Sequence, residues 1–197
     1  SSVKFALKAQ DAGVDAIVAE GFEAGGHNGR DETTTFCLIP MVKAAIDIPL
    51  IAAGGIGTGR GMLAAMNLGA DAVQVGSRFV TSTESSAHEN FKQYIIASEE
   101  GDTMLTLKEL TPVRLLKNEF YTKLQSAYQD GADKEKLTQI LGRGRAKKGM
   151  FEGDLVEGEL EIGQIAGLIQ KIMPAGEIVQ EMMNEFHQVL NEQKNYL

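Results

Sequence analysis

The chain has 197 residues, of which 43% are hydrophobic and 23% are charged, and its formal net charge is −8. These values are typical of one globular domain with a smaller appendage, and they exclude disordered and fibrous proteins. The acidic balance argues against a nucleic-acid partner, and no apolar run is long enough to cross a membrane. The single cysteine, Cys37, fits a reducing compartment, so we expect a cytoplasmic protein.

The pattern over residues 1–100 predicts alternating helices and strands. A helix over residues 1–12 ends at Gly13, and residues 14–19 then form an apolar run typical of a strand buried in a parallel sheet. A second helix precedes a strand over residues 49–53. The helix–glycine–strand pattern of residues 9–17 returns at residues 65–73, which adds a third helix and a third strand. This alternation predicts an α/β fold, either a barrel or a doubly wound sheet.

Three glycine-rich loops follow the three predicted strands, at residues 21–29, 54–59 and 76–79. The carboxyl ends of barrel strands carry the active site, and the loops after the last two strands commonly bind phosphate. Glycine lets backbone amides approach a phosphate closely. The last two loops therefore predict a phosphate site, and the first adds a histidine, His27, beside it.

Residues 20–29 (EGFEAGGHNG) resemble the glycine-histidine signature of the superfamily of nitronate monooxygenases and enoyl-acyl-carrier-protein reductases II. Residues 52–56 (AAGGI) and 68–79 (LGADAVQVGSRF) resemble its second signature, and residues 84–88 continue the match. The resemblance is good over residues 1–120 and looser beyond them. It implies a TIM-type (β/α)8 barrel that binds FMN, with no metal site.

The resemblance also implies the residues of the site. His27 matches the active-site histidine of the superfamily. A histidine exchanges a proton near neutral pH, so we interpret it as a proton donor or as a hydrogen-bond donor to a thioester carbonyl. In a monooxygenase, it would act as a base towards the nitroalkane or nitronate. The residues implied to bind FMN are Glu20, Gly25 and Gly26 near the flavin ring, and Gly54, Gly55, Gln74, Val75, Gly76 and Ser77 at the phosphate.

Two short motifs, Ala19-Glu20-Gly21 and Ser77-Arg78-Phe79, resemble the reductase branch more than the monooxygenases. The activity implied is the reduction of enoyl-acyl-carrier-protein thioesters in fatty acid synthesis, with NADH or NADPH as electron donor. The alternatives are a nitronate monooxygenase that uses dioxygen, and an incomplete barrel that is inactive alone. The implied partners are a small-molecule or carrier-bound thioester and further copies of the chain. A basic cluster, Arg143 to Lys148, is either a dock for an acidic partner, such as acyl carrier protein or a nucleotide phosphate, or a solvated loop.

A complete barrel has eight strands and about 250 residues, whereas residues 1–100 contain three convincing strands. We therefore expect these residues to be the C-terminal part of a barrel whose first five strands are truncated or belong to another chain. Residues 101–197 are expected to form a mostly helical cap. Its predicted helices cover residues 110–127, interrupted at Pro112, residues 134–141 and residues 174–190.

Further expectations concern the structural roles of single side chains. Ser85 or Ser86 is predicted to cap a helix, with His88 in a capping or packing role. Cys37 is interpreted as a small buried residue. Glu23 either orients His27 or is a solvated loop charge.

Overall fold

The computed structural model describes residues 2–193, and the first 80 of these residues alternate between helices and strands. The strands are β1 (Ile17–Glu20), β2 (Gly26–His27), β3 (Leu50–Ala53), β4 (Ala72–Gln74), β5 (Thr103–Thr106) and β6 (Val113–Leu116). The helices are α1 (Val3–Asp11), α2 (Thr35–Lys43), α3 (Gly59–Asn67), α4 (Ser77–Val80), α5 (Glu89–Ile96), α6 (Glu119–Gln129), α7 (Lys134–Leu141), α8 (Arg145–Met150) and α9 (Ala175–Gln193), with a 3-10 helix at Gln164–Leu168.

Strands β1, β3 and β4 form a parallel sheet in which β3 lies in the middle. The register pairs Glu20 with Ala53 and Ala53 with Gln74, so the three strands end side by side. One face of this sheet packs on α1, α2 and α3 through a core that includes Leu38, Ile39 and Leu50. The α/β fold and its three parallel strands are confirmed, and within the described residues the sheet stays open and forms no closed barrel.

A second sheet is antiparallel, in the order β2-β6-β5, and it corrects one prediction. The region after residue 101 contains β5 and β6 in addition to its helices. The helix predicted over residues 110–127 is wrong in its first part, because Val113–Leu116 form β6 and α6 begins only at Glu119. Pro112 disfavours a helical conformation in the residue before it, which fits the extended chain found here.

The helices after residue 117 pack around this second sheet. Leu124 of α6 and Leu137 of α7 are fully buried in a core with β6. The predicted helix over residues 134–141 is confirmed as α7, and the last helix, α9, lies against α3. No helix in the described part of the chain is long and apolar enough to cross a membrane.

Candidate active site at the carboxyl ends of the parallel strands

The carboxyl ends of β1, β3 and β4 open into one cavity of about 220 Å³. The turn Gly54–Gly55 follows β3, the turn Gly76–Ser77 follows β4, and Glu20 is the last residue of β1. Most of the residues implied to bind FMN therefore come together at one place. The cavity is lined by Glu20, Gly25, Gly26, Gly54, Gly55, Gln74, Gly76 and Ser77, with Glu23, Met150, Glu161, Ile162, Gly163 and Ile165 among the others.

The turn after β3 depends on glycine at two consecutive positions. Gly54 and Gly55 adopt φ angles of +91° and +71°, which residues with a side chain rarely adopt. A Cβ atom on Gly54 would lie 2.7 Å from the carbonyl oxygen of Gly21. The loops after β1 and β3 are therefore in backbone contact, and this contact excludes any side chain.

The cavity offers hydrogen-bond donors that the chain itself does not use. Among the described residues, the amide N–H groups of Gly55, Gly76 and Ser77 find no acceptor. A Cβ atom on Gly76 would meet open space, so its backbone is accessible. Unpaired amides on two adjacent loops are suited to an anionic oxygen cluster such as a phosphate. The Ser77 hydroxyl also accepts a hydrogen bond from the amide of Gly163 at 2.9 Å.

Gly25 and Gly26 lie against a segment from the C-terminal part of the chain. A Cβ atom on Gly25 would lie 2.4 Å from the carbonyl carbon of Ile162, and the amide of Gln164 donates to the Glu23 carbonyl at 2.9 Å. The segment of residues 161–165 thus forms a wall of the cavity beside the loop that carries His27.

His27 lies in strand β2 rather than in the flexible loop that we expected, because it pairs with Val113 of β6. His27 is exposed and is not among the residues that line the cavity, although the preceding Gly26 is. Val75 is not among the lining residues, and its side chain packs against the hydrophobic core, so the role expected of its backbone amide stays a prediction. Glu20 lines the cavity and is half-buried, and burial raises the pKa of its carboxyl group.

Glu23 has a structural role that the sequence left open. Both of its carboxylate oxygens accept hydrogen bonds from the amide of Thr35, at 3.0 and 2.9 Å. The Thr35 hydroxyl lies 3.0 Å from the Glu23 carboxylate and 2.8 Å from the Gly54 carbonyl oxygen. Glu23 therefore caps α2, and Thr35 links the loops that follow β1 and β3.

Arg114 of β6 supports the same loop from below, and the sequence analysis missed it. The residue is 2% exposed, and its guanidinium donates to the Phe22 carbonyl from Nε and from one terminal nitrogen, at 3.1 and 2.9 Å. It also stacks on the Phe22 ring at 4.6 Å. The buried cation fixes the start of the loop that leads to His27.

Two further carboxylates, Glu159 and Glu161, were also missed. The pKa of Glu159 is raised to about 7, mainly by burial and also by the charge of Glu161, while Arg145 lowers it. Burial also raises the pKa of Glu161, and the His27 imidazole opposes that rise. No sequence motif marks these two carboxylates, and Glu161 reaches the cavity only through the pairing of its segment with β6.

The remaining candidates are mostly engaged in local structure. His88, not Ser85 or Ser86, caps α5: its Nδ1 accepts from the amide of Asn90 at 3.1 Å. Cys37 is exposed, so the expectation of a buried thiol is wrong. The described residues contain no group of three or more histidine, cysteine and carboxylate side chains placed to hold a metal ion.

The basic cluster of residues 143–148 is largely paired within the chain. Arg145 donates to the Glu157 carbonyl at 2.6 Å and to its carboxylate at 3.1 Å. Lys147 pairs with Glu152 at 3.0 Å, and Lys148 pairs with Asp154 at 2.9 Å. Docking of an acidic partner at this cluster stays a prediction.

Fold and cavity together define an α/β protein whose ligand cavity lies at the carboxyl edge of a parallel sheet. The family model described as nitronate monooxygenase matches residues 1–185. A probable nitronate monooxygenase of Staphylococcus saprophyticus is 35% identical over 202 residues, which covers 97% of this chain and 56% of that protein. The chain belongs to the nitronate monooxygenase family, and it spans little more than half the length of the curated relatives that it matches.

Solved structures resemble the whole of this chain. FabK from Thermotoga maritima superposes with a TM-score of 0.93 at 39% identity, over 100% of this chain and 62% of that one. The nitroalkane oxidase from Streptomyces ansochromogenes superposes with a TM-score of 0.78 at 30% identity, over 98% of this chain and 57% of that one. The resemblance stated from the motifs is therefore confirmed at the level of the family.

Proposed function

We propose that this chain is the C-terminal part of an FMN-dependent oxidoreductase that reduces the C=C bond of enoyl thioesters with NADH or NADPH. The observation that carries the proposal is the similarity to FabK, an enoyl-acyl-carrier-protein reductase II, at 39% identity and a TM-score of 0.93. The nitroalkane oxidase is less similar in both respects. The motif Ala19-Glu20-Gly21, at the end of β1, supports the same branch.

In this proposal β1, β3 and β4 are three of the eight strands of a TIM-type barrel, and the region after residue 101 covers the catalytic face. A thioester carried by acyl carrier protein would be the natural substrate, in fatty acid synthesis in the cytoplasm. The barrel would assemble with further copies of the same chain. These statements extend the family resemblance to the whole protein.

The residues present fit FMN. The unpaired amides of Gly55, Gly76 and Ser77 would hold its phosphate. Because Gly55 and Gly76 have no side chains, the phosphate could approach their amides closely. Glu20, Gly25 and Gly26 would lie along the flavin ring. When bound, the flavin supplies the hydride that is transferred to the β-carbon of the enoyl thioester.

The chain's own residues would then bind, orient and protonate the substrate. His27 is exposed and follows Gly26, which lines the cavity, and in this proposal its imidazole would hold a proton for the α-carbon or donate a hydrogen bond to the thioester carbonyl. Met150, Ile162 and Ile165 form an apolar wall that would exclude water from the reacting carbons. Arg114 and Glu23 hold the loop that leads to His27.

A second candidate is a nitronate monooxygenase, which the name of the family model and the names of the curated relatives favour. The same cavity would then bind an alkyl nitronate, and His27 would act as a base. In the reductase, a nicotinamide would reduce the flavin and the enoyl thioester would reoxidise it. In the monooxygenase, the nitronate would be the reductant and dioxygen the oxidant, so the response to nicotinamide and to dioxygen distinguishes the two activities.

Anaerobic mixing of the intact, FMN-loaded protein with NADH or NADPH tests the proposal. We expect rapid bleaching of the flavin absorbance, followed by reoxidation with one equivalent of a crotonyl thioester. A protein that neither nicotinamide bleaches, and that consumes a nitronate in air, would be the monooxygenase instead. A protein preparation without FMN serves as the control for direct reaction between nicotinamide and thioester.

A further inference from the structure

The side chain of Asn28 closes the loop that follows β1. Its carboxamide nitrogen donates hydrogen bonds to the carbonyl oxygens of Ala24 and Gly26, at 2.9 and 3.0 Å. The backbone amide of Asn28 donates to the Pro112 carbonyl at 2.8 Å, which anchors the residue to the chain that enters β6. The half-buried carboxamide therefore spans the turn and uses one N–H for each of the two carbonyl groups.

The two carbonyl groups belong to residues that line the cavity, whereas Asn28 is not a lining residue. The hydrogen bond from Asn28 therefore directs the Ala24 carbonyl towards a side chain outside the cavity. The peptide bond between Ala24 and Gly25 is trans, and in a trans peptide the carbonyl and the following N–H point in opposite directions. The N–H of Gly25 is thereby turned away from Asn28.

The Gly25 amide is a hydrogen-bond donor that the chain does not use. Among the described residues no acceptor receives it, although Gly25 is half-buried and lines the cavity. An N–H group that is removed from water without a partner is costly. An acceptor atom of a bound molecule would remove that cost.

The orientation of this peptide group depends on Asn28. The other side chains that anchor the loop, Arg114 and Glu23, act on it before Ala24. After that point the chain has two consecutive glycines, at residues 25 and 26, which can turn a peptide plane at little steric cost. The Asn28 carboxamide bonds to the carbonyl groups on both sides of this flexible pair.

We propose that Asn28 is a positioning residue of the cavity: its carboxamide holds the Ala24 carbonyl back and presents the Gly25 N–H to an acceptor atom of the bound ligand. The inference rests on the proposed function in one respect, namely that the ligand is FMN. The acceptor would then be a carbonyl oxygen or a ring nitrogen of the flavin. Asn28 itself touches no ligand in this role.

Nuclear magnetic resonance tests the positioning without any measurement of activity. The intact, FMN-free protein is labelled with nitrogen-15 glycine and titrated with FMN. We expect FMN to shift the Gly25 amide proton downfield and to slow its exchange with water, together with the amides of Gly55 and Gly76. If FMN slows exchange at Gly55 and Gly76 but leaves Gly25 unchanged, the Gly25 amide does not meet the ligand and the proposal is overturned.

The Asn28→Ala variant releases the peptide. FMN should then bind about 5- to 10-fold more weakly, as expected for the loss of one hydrogen bond, and quenching of flavin fluorescence measures the affinity. The effect of FMN on exchange at Gly25 should disappear, whereas its effect at Gly55 and Gly76 should remain. The amide at position 28, which bonds to the Pro112 carbonyl, should stay protected because β2 remains paired with β6.

The Asn28→Asp variant separates hydrogen bonding from shape, because a carboxylate of the same size cannot donate to either carbonyl. It should weaken FMN binding at least as much as Asn28→Ala. The matched controls, Asn67→Ala and Asn67→Asp, change an exposed residue of α3 and should leave the affinity unchanged.

Native affinity and native protection of Gly25 in Asn28→Asp would overturn the proposal. A loss of protection at position 28 in both variants would overturn it too, because Asn28 would then hold β2 as a whole rather than one peptide group. If Gly25 responds to FMN as expected but neither nicotinamide bleaches the flavin, the inference stands and it is the proposed function that fails.

Discussion

Glu159 is a carboxyl group that folding removes from water, since only 8% of the residue remains exposed. Burial is the largest cause that raises its pKa from 4.5 to about 7. Below pH 4.5 the group is protonated in both the folded and the unfolded chain. Between pH 4.5 and 7 the unfolded chain releases the proton first, so the free energy of unfolding falls as the pH rises, and above pH 7 the loss is complete.

The Glu159→Gln variant should therefore be more stable than the native protein at pH 8, by roughly 1 to 3 kcal/mol. The difference should vanish near pH 4, where the native carboxyl is protonated and uncharged. Urea unfolding at both pH values measures it. Glu152→Gln, at an exposed residue paired with Lys147, should show no gain that grows with pH. A Glu159→Gln variant less stable than the native protein at pH 8 would show that the charge is stabilising.

For single residues, the sequence predicted which residues belong to the loops of the cavity better than it predicted which side chains touch one another. Glycines 54 and 55 were identified because their spacing after an apolar run is visible in one stretch of chain. Glu161 was not, because its place beside Gly26 depends on two segments that lie 135 residues apart and meet on β6. Cys37 was misplaced for a similar reason: the pattern located it near a helix start but could not show that its side of α2 is exposed.

Among the elements, α2 depends on a cap supplied from another loop. Thr34 occupies its N-cap position without a capping hydrogen bond, and the Glu23 carboxylate receives the Thr35 amide instead. An anionic group at a helix N-terminus also interacts favourably with the positive end of the helix dipole. One side chain therefore secures both α2 and the loop after β1.

The Glu23→Gln variant should lower the free energy of unfolding by about 1 kcal/mol, because it removes the charge and weakens the cap. Urea unfolding monitored by circular dichroism measures the loss. Glu99→Gln removes the same charge from an exposed position, and we expect no change from it. Equal losses in the two variants would mean that net charge, rather than the cap of α2, accounts for the effect.

Elements with periodic or uninterrupted apolar patterns were predicted, whereas β5 and β6 were not. Strand β6 is buried at all four positions and includes Arg114, so it shows neither alternation nor a purely apolar run. Its arginine is buried only because the Phe22 carbonyl and ring receive it. That compensation comes from a loop 92 residues away and is invisible in the local pattern.

At the scale of the whole molecule, the chain closes on itself where α9 meets α3. A Cβ atom on Gly59, the first residue of α3, would lie 2.1 Å from the Met182 carbonyl oxygen and 2.3 Å from the Phe186 nitrogen. The amide of Gly59 donates to the Glu185 carboxylate at 2.7 Å. The two helix backbones are therefore in direct contact, and the contact joins α9 to the helix that follows the Gly54–Gly55 turn.

The Gly59→Ala variant should separate α9 from α3, because a methyl group cannot enter a gap between two backbones without moving one of them. We expect a destabilisation of about 1 to 3 kcal/mol and faster amide hydrogen exchange throughout α9. Gly61→Ala is the matched control in the same helix, since its Cβ atom would lie 3.2 Å from the Thr58 hydroxyl and would meet no part of α9. Alanine also suits a helix better than glycine, so Gly61→Ala should leave α9 protected and the stability unchanged or higher. If hydrogen exchange in α9 is the same in both variants, the attachment of the C-terminal helix does not depend on the Gly59 contact.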